Sequence, residues 1–250
     1  MEVEIRKVDL ASILPLRMLY LHELHAQSRY HACHDRGWAD EYGMYVREQL
    51  VGYGSVKGLQ ELTDRDTIFE FYLLPPYRTV SKKVFQQLID TSQATHAEAQ
   101  TNDGLTARML YAFGKPVDIQ VALFQDKHTT SIEKQGVHFR KRTPADEVLE
   151  NKEELVGAYV LEKAGAIIGE GGFLLHYNAP YADVFMEVAE AHRNQGYGRY
   201  LIQEIKKACY LSGRVPAARC NLSNLASRKA LEAAGFEVAA YMLSTKLKKR

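Results

Sequence analysis

The residues best placed to do chemistry stand in a basic, glycine-spaced stretch, RNQGYGR, at positions 193–199. It follows a strand-like run, VFMEV, and opens a helix whose apolar residues share one face: Leu201, Ile202, Ile205, Ala208 and Cys209. Glycines at 196 and 198 suit a tight turn, and the N-terminus of a helix carries a partial positive charge. The stretch therefore predicts an anion site suited to a pyrophosphate, with a ligand-free turn as the alternative.

Two common phosphate-binding motifs fit this stretch poorly. A P-loop is excluded because no Gly-Lys-Ser/Thr follows the glycines, and a Rossmann site lacks its third glycine and its later acidic residue. The loop must be interpreted together with the rest of the chain.

The chain contains an internal repeat. Residues 45–56 and 159–173 both read as hairpins whose second strand carries a Gly-x-Gly pair. Residues 68–89 and 183–205 then both read as a strand, a turn with an aromatic or His before Arg (Tyr77-Arg78 and His192-Arg193), and an amphipathic helix. The repeat predicts two related domains, 1–134 and 135–250, joined near the polar stretch 126–135.

The two copies are unequal. The first has a long apolar helix over residues 14–27, whereas the second connects to its hairpin through residues 144–154, too few for a comparable helix pair. One side of the second domain thus lacks a wall, and the first domain is the nearest candidate to cover it.

Composition limits the class of protein. The 250 residues are 46% hydrophobic and 25% charged, with a formal net charge of +1, which is typical of a folded globular chain and gives no broad surface for nucleic acid. No window approaches the roughly 20 apolar residues of a membrane span. Three scattered cysteines fit reduced thiols. We expect a cytoplasmic protein, a monomer or homodimer, with no nucleic-acid or membrane partner.

The wider pattern of the second half resembles the GCN5-related N-acetyltransferase (GNAT) family. The resemblance rests on the strand ending at Val188, on Arg193-x-x-Gly196-x-Gly198, and on Asn224-x-x-Ser227 with a helix closing at Gly235-Phe236. It covers the chain from about residue 155 onward. It implies an α/β (α+β) fold of two tandem acyl-CoA N-acyltransferase-like domains, each a mixed, mostly antiparallel sheet flanked by helices.

The resemblance also implies how acetyl-coenzyme A would bind. Its pantetheine arm would insert between two splayed strands, like an added strand, against Met186, Glu187 and Val188. Its pyrophosphate would be wrapped by the loop, and the second motif would contact the arm from the other side; the residues concerned are Arg193, Asn194, Gln195, Gly196, Tyr197, Gly198, Arg199, Asn224 and Ser227. In the first copy Ser81 and Lys83 replace the glycines, so no coenzyme is expected there, and Asn102 faintly echoes Asn224.

Acetylating an amine needs a base, oxyanion stabilisation and a proton for the leaving thiolate. Glu187 is the best placed base, since its side chain should point away from the face of Met186 and Val188; a solvated strand glutamate is the alternative, and Glu170 is a poorer candidate. The family commonly has a tyrosine acid seven residues after the asparagine, where this chain has Leu231. Ser227 could bond the sulfur or simply its own helix backbone, and Tyr210 or Tyr241 could supply the acid.

A histidine-rich stretch in the first half invites a metal interpretation, because His22, His25, His31, Cys33 and His34 lie close together. No set repeats with zinc-ligand spacing, so we predict no metal and favour histidines on an exposed helix flank. An acceptor-cleft lining with Tyr30, Trp38 and Tyr42 is the functional alternative. Cys220 is expected to be a small core residue.

Two functions from different classes remain open. The first is an acetyl-coenzyme A-dependent N-acetyltransferase acting on the amine of a small molecule by direct attack in a ternary complex. The second is a non-catalytic acyl-CoA-binding or sensor module, in which Leu231 would mark the loss of catalysis. Aminoacyl transfer from tRNA would need a basic tract, which is not seen.

Overall fold

A computed structural model describes residues 2–149 and 155–248 of the chain. The chain divides into two compact units, which we call the first unit (Met1–Val121 with Ala240–Arg250) and the second unit (Ala122–Ala239). Each contains a mixed sheet flanked by helices, as the sequence predicted.

The first unit begins with a helix-containing β-meander. Its strands are β1 (Glu4–Val8), β2 (Ala39–Val46), β3 (Gln49–Lys57), β4 (Thr67–Leu73), β5 (His96–Gln100) and the first part of β6 (Gly114–Asp126). Its helices are α1 (Leu10–Leu24), α2 (His31–Asp35), α3 (Ser81–Ser92) and α4 (Gly104–Phe113). β1 to β4 pair antiparallel in chain order, and β4 then pairs in parallel with β5.

The second unit repeats this pattern of strand pairing. Its strands are the end of β6, then β7 (Val137–Lys141), β8 (Tyr159–Lys163), β9 (Ala166–Leu174), β10 (Tyr181–Val188), β11 (Val215–Asn221) and the start of β12 (Phe236–Leu247). Its helices are α5 (Tyr197–Leu211) and α6 (Leu225–Ala233). β7 to β10 pair antiparallel in chain order, and β10 pairs in parallel with β11.

Both predicted hairpins are present and turn in the same way. β2 and β3 are joined by Arg47 and Glu48, and β8 and β9 by Ala164 and Gly165; all four residues have positive φ. Two consecutive residues in the left-handed region match the right-handed twist of the strands that they connect. The shared turn supports the internal repeat that the sequence indicated.

The compact units divide at other places than the expected boundary after residue 134. The irregular stretch that follows β6 is bonded to the second unit, because the Gln203 side chain accepts from Ile132 N (2.7 Å) and donates to Ile132 O (3.0 Å). The end of β12 belongs to the first unit, since it pairs with β5 from Met242–Gln100 to Lys246–His96.

The long first-half helix is α1, which begins and ends earlier than the predicted residues 14–27. Asp9 caps it by accepting from Ser12 N (2.8 Å), and it ends at Leu24, followed by His25 as the C-cap with a φ of 52°. In the second unit, the described part of the connection 144–154 contains no helix, and residues 150–154 lie outside the described residues.

α5 covers one face of the second unit's sheet. Its apolar residues are buried, as the sequence pattern predicted: Leu201, Ile202, Ile205 and Cys209. A Cβ at Gly171 of β9 would lie 2.8 Å from Ile205 Cδ1 and 2.4 Å from Phe185 O, so glycine at that position lets helix and strand approach closely. This packing fixes the helix whose N-terminus forms the predicted anion site.

The first unit is built around a buried carboxylate, Glu70 of β4. Arg17 donates two hydrogen bonds to it (both 3.0 Å), Tyr53 Oη donates a third (2.9 Å), and His34 Nε2 lies 3.2 Å from Oε1. Burial alone would raise the pKa of Glu70, but the charges of Arg17 and His34 outweigh burial and hold the pKa far below its ordinary value.

His22 and His25 are exposed at the end of α1, as expected, whereas His31 and His34 take part in this network, which corrects the expected exposed helix flank for these two. Burial would lower the pKa of His34, yet Glu70 and Glu41, whose Oε1 lies 2.6 Å from His34 Nδ1, raise it to about 9. His31 Nδ1 lies 3.1 Å from Arg17 Nη1. Among the described residues, no three His, Cys, Asp or Glu side chains are grouped to hold a metal ion.

None of the described helices is both long enough and apolar enough to cross a membrane.

Replacing Glu70 by Gln should destabilise the protein strongly, because Arg17 would keep its buried charge without a counter-charge. Breaking such a pair from one side costs about 3–5 kcal/mol, to be measured as the free energy of unfolding in urea. Glu48→Gln removes a solvent-exposed carboxylate paired with Arg6 and should leave the urea midpoint of unfolding unchanged. Equal midpoints for the two variants would contradict the role assigned to Glu70.

Candidate active site

The second unit's sheet opens between β10 and β11. The two strands pair at Tyr181–Val215, Ala182–Pro216 and Asp183–Ala217, and this pairing ends there although β10 continues to Val188 and β11 to Asn221. Beyond Asp183 the strands diverge, as the splay implied by the resemblance requires. An opened pair of strands offers backbone donors and acceptors to a ligand that lies like an additional strand.

The glycine loop stands at the open end of β10. After a 3₁₀ turn, Glu190–His192, the chain reaches Gly196, the N-cap of α5, which has a φ of 77°. No side chain caps α5. The N–H groups of its first turn therefore point out of the helix end and donate to no capping side chain. Such a helix N-terminus attracts an anion through its N–H groups and its dipole.

Positive side chains surround the loop. Arg193 Nε donates to Val188 O (3.0 Å), which fixes the loop against the end of β10, and Lys134 Nζ donates to Gln195 O (2.6 Å). A Cβ at Gly196 would lie 3.1 Å from Arg199 Nε and 3.2 Å from Lys134 Nζ. Together, the uncapped helix and the cations fit a pyrophosphate.

These elements enclose one large cleft of about 870 Å³. Every residue predicted for coenzyme binding lines it: Met186, Glu187, Val188, Arg193, Asn194, Gln195, Gly196, Tyr197, Gly198, Arg199, Asn224 and Ser227. The structure thus brings the two sequence motifs together; that they bind a coenzyme is still a prediction.

The sequence did not lead us to predict that α6 lines one side of the large cleft. His192 and four α6 residues also line it: Ala226, Lys229, Ala230 and Ala233. The α6 residues recur at helical spacing after Asn224, so a helical-face analysis of residues 225–233 could have found them.

Asn224 and Ser227 form the start of α6. Asn224 Oδ1 accepts from Ser227 N (3.0 Å), which makes Asn224 the N-cap. The Cys220 thiol donates to Asn221 O (3.2 Å), and burial raises its pKa although Ser227 partly opposes that rise. Cys220 is buried, as expected of a core residue.

Glu187 lies on the face of the sheet that is opposite α5. Its neighbour Met186 approaches α5, where a Cβ at Gly198 would lie 3.4 Å from Met186 Cε, and successive strand residues point to opposite faces. Glu187 is 8% exposed, and its Oε1 lies 3.8 Å from Arg193 Nη2. Glu170 of β9 lies opposite Glu187 in the strand pairing, and it is fully buried and paired with Arg142. Its burial fits the expectation that it is the poorer candidate for the base.

Leu231, a buried apolar residue of α6, occupies the position at which the family commonly has a tyrosine as proton donor. Tyr210 Oη donates to Asp126 (2.9 Å), and burial together with Asp126 raises the pKa of Tyr210 to about 12. Tyr241 belongs to the first unit. Neither Tyr210 nor Tyr241 lines the large cleft; of the tyrosines that the structure describes, Tyr197 does, and its hydroxyl accepts from Lys163 (2.8 Å).

The first unit contains the same arrangement in a closed form. β4 and β5 pair in parallel only at Thr67–His96 and Ile68–Ala97, and Arg78 Nε donates to Leu73 O (2.9 Å) as Arg193 does to Val188 O. Asp103 caps α4 by accepting from Thr106 N (3.0 Å). Asp103 rather than Asn102 is therefore the counterpart of Asn224, and the expected echo at Asn102 is wrong by one residue.

The chain itself fills this first opening. Thr106 Oγ1 donates to Phe71 O of β4 (3.1 Å), and Gln100 of β5 binds the segment after α1 through Gln27 O (3.0 Å) and Arg29 N (2.8 Å). The cavity that remains beside Glu70 measures about 10 Å³, close to the minimum for one water. The closed opening supports the prediction that the first unit binds no coenzyme.

Comparisons with known proteins agree with the geometry. Two family models match the chain: "Acetyltransferase (GNAT) domain" over residues 9–127 and "Acetyltransferase (GNAT) family" over residues 123–236. A search of the curated proteins found no match.

Solved structures share the fold at low sequence identity. An acetyltransferase from the GNAT family of Colwellia psychrerythraea is 18% identical with a TM-score of 0.76, covering 98% of this chain and 100% of its own. A tandem GNAT protein from the clavulanic acid biosynthesis pathway is 13% identical with a TM-score of 0.60, covering 100% of both chains. A GCN5-related N-acetyltransferase from Sphaerobacter thermophilus is 13% identical with a TM-score of 0.55, covering 84% and 81%.

Proposed function

The chain belongs to the GNAT family of acyltransferases as a tandem of two such domains, and from that premise we propose that it moves an acetyl group from acetyl-coenzyme A to the amine of a small molecule. The observation that carries the proposal is the opening between β10 and β11, which leads to the uncapped N-terminus of α5. The closed opening of the first unit supports a single donor site, in the second unit.

The donor would lie along the large cleft. Its pyrophosphate would accept hydrogen bonds from the first turn of α5, with the charges of Arg193, Arg199 and Lys229 nearby. The pantetheine arm would run beside Met186, Glu187 and Val188, toward the point where β10 and β11 converge. In that direction the reactive end of the donor would lie near Met186 and Ser227, beside Glu187.

The amine would attack the thioester carbonyl directly in a ternary complex. A C–N bond forms and the C–S bond breaks, while the amine loses one proton and the leaving thiolate gains one. Backbone N–H groups of the opened strand β10 would stabilise the oxyanion. Glu187 would accept the amine proton, since it lies on the face away from α5. Ser227 or water would protonate the thiolate, because Leu231 cannot.

A small-molecule acceptor suits a chain whose formal net charge is only +1, since no long charged groove is expected to recruit a protein or nucleic acid. The competing function is a non-catalytic acyl-CoA-binding or sensor module, which the buried Leu231 at the acid position favours. Turnover distinguishes the two functions, since both require the same binding cleft.

Gly196→Trp should abolish coenzyme binding, because an indole would fill the anion site between Arg199 and Lys134. Calorimetry with acetyl-coenzyme A should show a loss of affinity of at least about a hundredfold. Gly213→Trp is the matched control: Gly213 has nearly the same φ, 75° against 77°, but nothing lies within 4 Å of its Cβ position. Undiminished binding in Gly196→Trp, or absent binding in the wild type, refutes the donor site.

Glu187→Gln should lower kcat by about 10²–10⁴, the usual contribution of general-base catalysis, and leave the affinity for acetyl-coenzyme A unchanged. Thiol release followed across a panel of amines measures kcat, and calorimetry measures the affinity. Glu190→Gln, which changes an exposed acid of the adjoining 3₁₀ turn, should behave as wild type. An unaltered rate in Glu187→Gln removes it as the base, and coenzyme binding without turnover on any amine supports the sensor function.

A further inference from the structure

A second, smaller cavity lies where β10 and β11 converge. Its volume is about 190 Å³, and it shares Met186 and Ser227 with the large cleft. Its other lining residues are Leu155, Leu174, Asp183, Val184, Phe185, Ile202, Arg219 and Leu231. Under the proposed function, on which this inference rests, the thioester points toward this cavity, so a group bound there lies beside the reacting carbonyl.

The small cavity is larger than an acetyl group requires. A water molecule takes about 30 Å³ of liquid, so the volume has room for several heavy atoms beyond the three of an acetyl group. Seven of its ten lining residues are apolar, but polar atoms provide most of the surface exposed to the cavity, so Asp183, Arg219 and Ser227 are the side chains that select a ligand.

Two of those polar side chains form an ion pair of unequal exposure. Asp183 is nearly buried, with 6% of its side chain exposed, whereas 34% of the Arg219 side chain is exposed. Arg219 Nε lies 3.4 Å from Asp183 Oδ2, and His176 Nε2 lies 2.7 Å from the same oxygen. Asp183 therefore has His176 as a second partner and does not rely on Arg219 alone for its hydrogen bonds.

The orientation of Arg219 leaves its outer donors for a ligand. The pair with Asp183 uses Nε, and among the described residues no side chain or backbone group bonds the Nη atoms of Arg219. In the parallel register Ala217 stands opposite Asp183, and Arg219, two residues later, lies on the same face. That is also the face of Glu187, opposite α5.

We propose that the small cavity binds a carboxylate through the Nη groups of Arg219, which is anchored by Asp183. Guanidinium and carboxylate are matched in shape and bind through two parallel hydrogen bonds. The carboxylate belongs either to the amine acceptor, as in an amino acid, or to the acyl group of a dicarboxylic acyl-coenzyme A. Both sources place the same group at the same arginine.

The test has one arm for each source. The first arm compares thiol release from acetyl-coenzyme A with each standard amino acid and with its amide, which lacks the carboxylate. The second arm compares, by calorimetry, the affinities of succinyl-coenzyme A and of butyryl-coenzyme A, which lacks the terminal carboxylate. We expect a preference of about tenfold or more for the carboxylate form in one arm.

Substitutions at one position link that preference to the cavity. Arg219→Gln should abolish the preference and keep the affinity for coenzyme A, because Arg219 is not part of the large cleft. Arg219→Lys should keep only part of it, since lysine retains the charge but not the paired donors. Arg214→Gln removes an equal charge just before β11 and should keep the preference in full.

The outcomes separate this inference from the proposed function. Failure of the wild type to bind coenzyme A refutes the proposed function itself. Coenzyme binding with no preference in either arm, or with a preference that persists in Arg219→Gln, overturns the carboxylate site and leaves the proposed function standing.

Discussion

The divergence of two parallel strands is the constraint on which the second unit depends. A sheet normally satisfies its backbone groups by pairing along its length, and backbone donors and acceptors that lose a strand partner need another one. In the second unit the pairing of β10 and β11 ends at Asp183–Ala217. The loop at Gly196 and the N-terminus of α5 stand at the open end, so the opening and the predicted anion site line the same cleft.

The first unit shows what happens when the same opening is satisfied from within. Its β4 and β5 also diverge early, but Thr106 bonds the carbonyl of Phe71 and Gln100 binds the segment that follows α1. Ser81 stands, buried, where the second unit has Gly196. Two copies of one plan have thus diverged, one keeping a cleft and the other a packed interior held by the Glu70 network.

Local patterns carried most of what the sequence could predict. The hairpins, the amphipathic α5 and the loop at Gly196 depend on residues close together in the chain, so periodicity and turn chemistry revealed them. The residues of the large cleft followed from two motifs separated by a single helix and strand. The family resemblance supplied how those motifs meet.

The remaining features depend on distant residues. Arg17 and Glu70 are 53 positions apart, and Asp183 meets Arg219 only because β10 and β11 are adjacent; no local pattern encodes either pair. The counterpart of Asn224 was misplaced by one residue because an aspartate takes the capping role in the first unit. The sequence also did not predict where the two compact units divide, because strand pairing rather than composition assigns the end of β12 to the first unit.

We infer that the chain has one working acyl-donor cleft, in the second unit. The stoichiometry of coenzyme A binding to the full chain, measured by isothermal titration calorimetry with the active protein concentration determined independently, tests it most directly. We predict one coenzyme A per chain. Two per chain would contradict the closed opening of the first unit, and none would contradict the donor cleft itself.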